Sequence, residues 1–279
     1  MSEVHNPPAD WSALLRDAVE KPGVIAKAYH LFWNFSIGNR LLALFECAVR
    51  GIEPGPIHTY QGWRQLNRNV KKGEKAITLC MPVTMRRKKE SEGNAPVDAS
   101  ALSATAADRD DPKATFTKFL YTPRWFVLSQ TEGEPFQPPE LPDWNEALAL
   151  SGLKIERIGF DHVDGNCQGY ALNRSVAVSP IAFAPYRTLF HELAHVLIGH
   201  TEELERMDDH DRTPKNLREV EAESVALICS ESLGLETAEY SRGYIQHWLA
   251  GEPIPEKSAQ RIFKAADQIL KSGRPPIAT

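Results

Sequence analysis

The pentapeptide His191-Glu-Leu-Ala-His195 constrains this chain more than any other stretch of it. On a helix, positions i and i+4 share a face, so the two imidazoles can point at one metal ion. Glu192 follows the first histidine, where a carboxylate can take a proton from metal-activated water. The flanking residues Leu189, Phe190, Leu193, Ala194, Val196, Leu197 and Ile198 are apolar, so the helix must be largely buried. Two histidines and a carboxylate inside a buried helix need partners, and a metal ion supplies them.

Two histidines leave such a site short of a protein ligand. A histidine six residues after His195 would complete the extended metzincin pattern, but that position is Thr201, and Ile198 stands where the turn glycine belongs. His200 lies next to the expected helix stop Gly199 and reads as a surface or cap residue. The segment Leu217-Arg-Glu-Val-Glu-Ala-Glu-Ser-Val-Ala-Leu-Ile228 reads as a helix on which Glu219 and Glu223 share a face. Two like charges so placed repel unless a cation or histidine sits between them. Glu219 is therefore expected to bind the metal and Glu223 to hydrogen-bond a ligand histidine from behind. Glu221, about 200° away from Glu219 around the helix, is the rival ligand. The ligand types suit one divalent ion, zinc first and manganese as the alternative.

A length of 279 residues allows one large or two modest domains, and 42% apolar residues suffice for real cores. Cys47, Cys80, Cys167 and Cys229 are scattered without a CxxC pair, which argues against a cysteine zinc site or a disulfide framework. The N-terminus does not read as a signal peptide, and no run of 18 apolar residues occurs. A soluble, cytoplasmic protein without membrane contact is expected. Charge is uneven. Ile57 to Lys89 carries nine Lys or Arg and one acid, Glu74, whereas His191 to Tyr240 carries thirteen acids and four Lys or Arg. A basic half joined to an acidic, metal-binding half suggests two tasks.

The periodicity predicts helices over 10–52, with stops at Gly51 and the turn cluster Glu53-Pro-Gly-Pro56. Strands are expected at 77–83, 116–121 and 125–128, with a flexible, charged insertion at 88–114. A Pro-rich stretch at 132–143 reads as a linker, followed by a short helix to Gly152. A hairpin is expected around Asn173-Arg174, then the HExxH helix opened by Pro185, then helices at 217–233, 237–250 and 255–271. The fold class is α+β: an N-terminal domain over 1–133, a linker and short helix over 134–154, and a mainly helical domain with a small sheet over 155–279.

For the metal-binding half, a strand beside the HExxH helix could hold an extended peptide by backbone hydrogen bonds, with Ser175–Ser179 as the candidate. Tyr240, Tyr244 or His247 could stabilise an oxyanion, and each could equally fill a helical core. In the basic half, Tyr60, Trp63, Arg64, Arg68, Lys71, Lys72 and Lys75 mix aromatics with cations. Cations can follow a single-stranded backbone while rings stack on bases. Tyr29, Trp33, Asn39 and Arg40 could add to that surface. No groove-reading motif is present.

These residues together resemble the plasmid-borne antirestriction proteins of the ArdC type. The resemblance runs through Gly38-Asn-Arg-Leu-Leu42, Gln61-Gly-Trp63, Val70-Lys-Lys-Gly-Glu-Lys-Ala76 and Ser129-Gln-Thr131. It continues in Thr188-Leu-Phe-His-Glu-Leu-Ala-His195, in Glu219 with Glu223, and in Tyr244-Ile-Gln-His-Trp-Leu249. It implies an N-terminal domain that binds single-stranded DNA and a C-terminal zincin-like metallopeptidase domain. It further implies protection of incoming plasmid DNA from restriction during conjugative transfer. By resemblance, Asn39, Trp63, Lys71, Lys72 and Lys75 fall in the DNA-binding half, His191, His195 and Glu219 at metal positions, and Glu192 at the catalytic one. Two alternatives stand beside this expectation. One is a zinc metalloprotease that cleaves a regulatory or DNA-bound protein; the other is a DNA-binding module with a purely structural metal site.

Overall fold

The computed structural model describes residues 10–32, 34–86, 115–162, 166–203, 213–249 and 253–275. Helices α1 (Trp11–Glu20), α2 (Val24–Leu31) and α3 (Ile37–Arg50) open the chain. Asp10 caps α1 by accepting the Ala13 N–H, and Ser36 caps α3 by accepting that of Asn39. Gly51 ends α3 in the left-handed region at φ +64°, where a side chain would be strained. Next come β1 (Ile57–Thr59), the short helix α4 (Tyr60–Gln65), β2 (Arg68–Val70), β3 (Ile77–Arg86), β4 (Thr115–Val127) and β5 (Thr131–Gly133). β1, β4 and β3 form an antiparallel sheet in that order, and β2 and β5 form a separate ribbon.

The two strands expected at 116–121 and 125–128 are one. Pro123 faces Thr78 while Trp125 faces Ile77, so the extra residue Arg124 is taken up as a bulge that lets the proline remain within the strand. The expected insertion at 88–114 lies outside the described residues.

The second half contains α5 (Glu146–Leu153), β6 (Glu156–Arg157), β7 (Gly169–Leu172), β8 (Ser175–Val178), α6 (Pro185–Ile198), α7 (His200–Glu203), α8 (Lys215–Ser232), α9 (Ala238–Leu249) and α10 (Glu256–Ser272). β7 and β8 form the expected hairpin, turned at Asn173 with φ +51°. β8 pairs with β6 on one side and β7 on the other, so the expected substrate strand Ser175–Ser179 is not a free edge. β7 is the edge strand beside α6. It can lie there because residue 169 is glycine: a Cβ would stand 2.6 Å from Thr188 Cγ2, 2.9 Å from Ala177 O and 3.2 Å from Glu192 Cγ.

α6 packs against β7 and β8 and against α8 and α10. α8 is buried from Val220 to Ser232, which makes it the central helix of this half. The N-terminal helices join the same core: α2 lies on α8, α1 on α9 and α10, and α3 on α10. Leu15, Ile25, Phe32 and Leu41 share one apolar cluster with Ile228, Ile262, Phe263 and Ile269. Buried polar ties reinforce the contact. Glu231 accepts the Ile25 N–H at 3.1 Å and pairs with Arg242, whose guanidinium also donates to the carbonyls of Ala18 and Val19. Asp267 accepts the Ile37 N–H at 2.9 Å. The segment 134–154 thus lies between the sheets of the two halves, whereas the core crosses it. No described helix is long and apolar enough to cross a membrane.

Candidate metal centre and basic face

Proline at the first turn starts α6, and the apolar stripe Leu189, Phe190, Leu193, Ala194 and Val196 buries it. That burial orients the opposite stripe toward α8. Among the described residues, His191, His195 and Glu219 bring their donor atoms within 4.8 Å of one another. The two Nε2 atoms are 3.0 Å apart, and Glu219 Oε2 lies 3.5 Å from that of His191 and 3.9 Å from that of His195. Ligands of a tetrahedral ion at about 2.0–2.1 Å stand about 3.3 Å apart, so the spacing and the donor types fit a divalent metal.

Glu223 Oε1 approaches His191 Nδ1 at 3.2 Å, without the alignment of a hydrogen bond. Arg187 holds Glu223 in turn: its Nη2 donates to Oε1 at 2.6 Å while its Nε donates to Ser241 at 2.9 Å. Sequence reasoning missed Arg187, although it stands one helical turn before His191 on the same face of α6.

Glu221 does not share this cluster. It is fully buried and turned the other way, with Oε2 2.7 Å from His200 Nε2 and Oε1 accepting from Arg261 Nη2 at 3.0 Å. His200 corrects the surface or cap assignment, being 1% exposed. Gly199 does end α6 at φ +93°, but α7 starts at once, so the turn swings His200 inward. Its Nδ1 lies 2.9 Å from His195 Nδ1.

The electrostatics separate the groups. Burial lowers His191, but the carboxylates of Glu219 and Glu223 outweigh it and hold the imidazole at about 9. Burial, then the charges of His191 and His200, push His195 down to about 3. Burial raises Glu192 to about 7, against the pull of His191 and with help from Glu219 and Glu223. Burial also acts upward on Glu223, but His191, Ser241 and Arg187 outweigh it and hold this carboxyl at about 2.

A cleft of about 520 Å³ opens over these residues, walled by β7 from Gly169 to Ala171 and by Lys215 and Arg218 at the start of α8. Glu192 lines it, 7% exposed. Of the three oxyanion candidates, Tyr244 is half-exposed and linked to the site: burial, then Glu219 and Glu223, raise its phenol. Tyr240 packs on Phe183, with ring centroids 5.5 Å apart, and His247 is exposed.

In the basic half, several residues expected at the DNA surface are structural. Trp63 is 0% exposed, donates to Phe126 O at 2.8 Å and packs edge-on against His58 and Phe136, so its ring is not offered to a base. Asn39 joins α3 to β3, giving an N–H to Cys80 O at 2.8 Å and accepting the Cys80 N–H at 2.9 Å. Arg40 is buried over the Tyr29 ring and donates to the carbonyls of Phe35 and Tyr29. Arg68, also buried, ties β2 to Thr131. Tyr60 is 49% exposed, and Arg64, Lys71, Lys72 and Lys75 are exposed with it on α4 and the β2–β3 turn. Lys71 also donates to Ser129 O at 2.9 Å. Trp33 lies outside the described residues.

Comparison with known proteins adds three findings. Residues 15–121 match the family described as the N-terminal domain of anti-restriction factor ArdC. The Mn(II)-bound crystal structure of antirestriction protein ArdC from plasmid R388 is similar at 21% identity and TM-score 0.52, covering 95% of this chain and 98% of that one. The metal-free structure of the same protein gives 21% identity and TM-score 0.50, covering 94% of each. No curated protein matches.

Proposed function

We propose that this chain, whose residues 15–121 match the family of the N-terminal domain of anti-restriction factor ArdC, protects incoming plasmid DNA from restriction, binding single-stranded DNA through its basic face and cutting peptide bonds at its HExxH site. The observation that carries the hydrolytic part is the meeting of His191, His195 and Glu219 in a cleft where Glu192 lies beside the edge strand β7.

His191, His195 and Glu219 would hold one divalent ion. Zinc suits the donors, and the R388 protein has a Mn(II)-bound structure. When bound, such an ion supplies Lewis-acid polarisation of a carbonyl and makes water more acidic. The protein's own groups do the rest. The outer edge of β7 presents backbone N–H and C=O groups to an extended peptide. Glu192, raised to about 7, accepts the proton of the attacking water and returns it to the leaving amine. Tyr244, whose phenol senses Glu219 and Glu223, would donate a hydrogen bond to the developing oxyanion. In the other half, the exposed cations Arg64, Lys71, Lys72 and Lys75 follow a phosphate backbone, and Tyr60 offers a ring for stacking.

The test is plasmid transfer into a restricting recipient. Wild type should raise recovery of unmodified plasmid. Glu192→Gln, with folding checked by circular dichroism, should lose that protection, and so should the triple change of Lys71, Lys72 and Lys75 to Ala. Full protection by Glu192→Gln would refute the hydrolytic part, and full protection by the triple variant would refute the DNA-binding part.

A further inference from the structure

We infer that His200, Glu221 and Arg261 form a positioning relay that makes His195 a metal ligand; this rests on the metal-site reading above. Three groups stand in line behind His195, two of them, His200 and Glu221, buried and the third, Arg261, partly exposed. His195 turns Nε2 toward His191 and Glu219 and Nδ1 away from them, 2.9 Å from His200 Nδ1. His200 Nε2 is 2.7 Å from Glu221 Oε2, and Arg261 donates to Glu221 Oε1 at 3.0 Å. The side chain of His200 is 2% exposed and that of Glu221 0%, so water does not replace these partners.

The chemistry of the donors sets the direction of the line. A carboxylate only accepts, so His200 Nε2 carries hydrogen. A neutral His200 then offers a lone pair at Nδ1, which requires hydrogen on His195 Nδ1. That leaves the lone pair of His195 on Nε2, the nitrogen that faces the other ligand atoms. Arg261 gives Glu221 an oppositely charged partner in the core. The relay draws on α6, α7, α8 and α10, so the ligand tautomer is set by the packing of four helices.

The full chain is tested with zinc alone. Nitrogen-15 histidine spectra of the zinc-loaded wild type should show His195 with hydrogen on Nδ1 and His200 with hydrogen on Nε2. Hydrogen on His200 Nδ1 would overturn the inference. This measurement needs no variant, so it decides even if a substitution prevents folding. Zinc affinity, read by chelator competition, should fall by about 10–100-fold in His200→Phe. It should largely recover in His200→Gln, whose side-chain carbonyl can accept from His195 Nδ1. Wild-type affinity in His200→Phe, or equal loss in both variants, overturns the relay alone. Failure of the wild type to bind zinc overturns the metal-site reading and the relay with it.

Discussion

Glu192 and Glu223 face neighbouring parts of one site, and their surroundings drive them apart. Burial leaves Glu192 near 7, where it can both take and return a proton, while Arg187, Ser241 and His191 keep Glu223 ionised at about 2. His191 gives a pH prediction. Its pKa, about 9, is raised above the ordinary 6.5, so its charged form stabilises the metal-free protein fully below about 6.5, and that contribution is lost as pH rises through about 9. A metal must displace the same proton. Zinc affinity should therefore climb across this window by up to about one decade per pH unit, as chelator competition corrected for the chelator's own protonation would show. A flat profile contradicts it. Helical spacing was enough to pair His191 with His195 on α6 and Glu219 with Glu223 on α8, because one face of one helix is a local property. It could not find His200, Glu221 and Arg261 as a set, because they meet through a turn at Gly199 and a helix forty residues beyond Glu221.

At the scale of elements, caps and turn residues were readable: Pro185, Gly199, Gly51 and Asn173 act where their backbone chemistry says they should. The helix α4 was not readable, since six residues capped by Thr59 carry no apolar period. That gap explains the misplacement of Trp63, which sits on α4's inner side while Tyr60 and Arg64 face out. Trp63→Ala should cost about 3–5 kcal/mol in denaturant unfolding. The triple change of Lys71, Lys72 and Lys75 to Ala should leave stability nearly unchanged. It should weaken binding of a labelled single-stranded oligonucleotide and flatten its salt dependence, by about 0.7 in log–log slope per lost phosphate contact. An unchanged slope would remove these lysines from the DNA face. Gly169→Ala tests the edge strand: its Cβ would press on Thr188 and Ala177, so β7 must move from α6, at about 1–3 kcal/mol. Stability equal to wild type would mean that the strand does not lie this close.

Among the described residues, the sheets of the two halves hang on one helical core. Composition and charge asymmetry predicted two tasks, and the linker predicted two units. The shared core was hidden because its contacts join α1 to α10 and Ile25 to Glu231, parts separated by most of the chain. α8 carries Glu219 near its start and Glu231 near its end, so the candidate metal centre and the clamp on α1 and α2 share one helix. Calorimetry of the metal-free protein should give one cooperative transition, and Arg242→Met should destabilise it by about 3–5 kcal/mol by stranding buried Glu231. Two separate transitions would show that the halves fold independently. The central claim is that His191, His195 and Glu219 make a metal centre, and zinc titration by calorimetry tests it most directly. Wild type and Glu192→Gln should each bind one ion per chain, and Glu219→Gln should bind none at the same concentrations. Equal binding by Glu219→Gln, or no binding by the wild type, would contradict it.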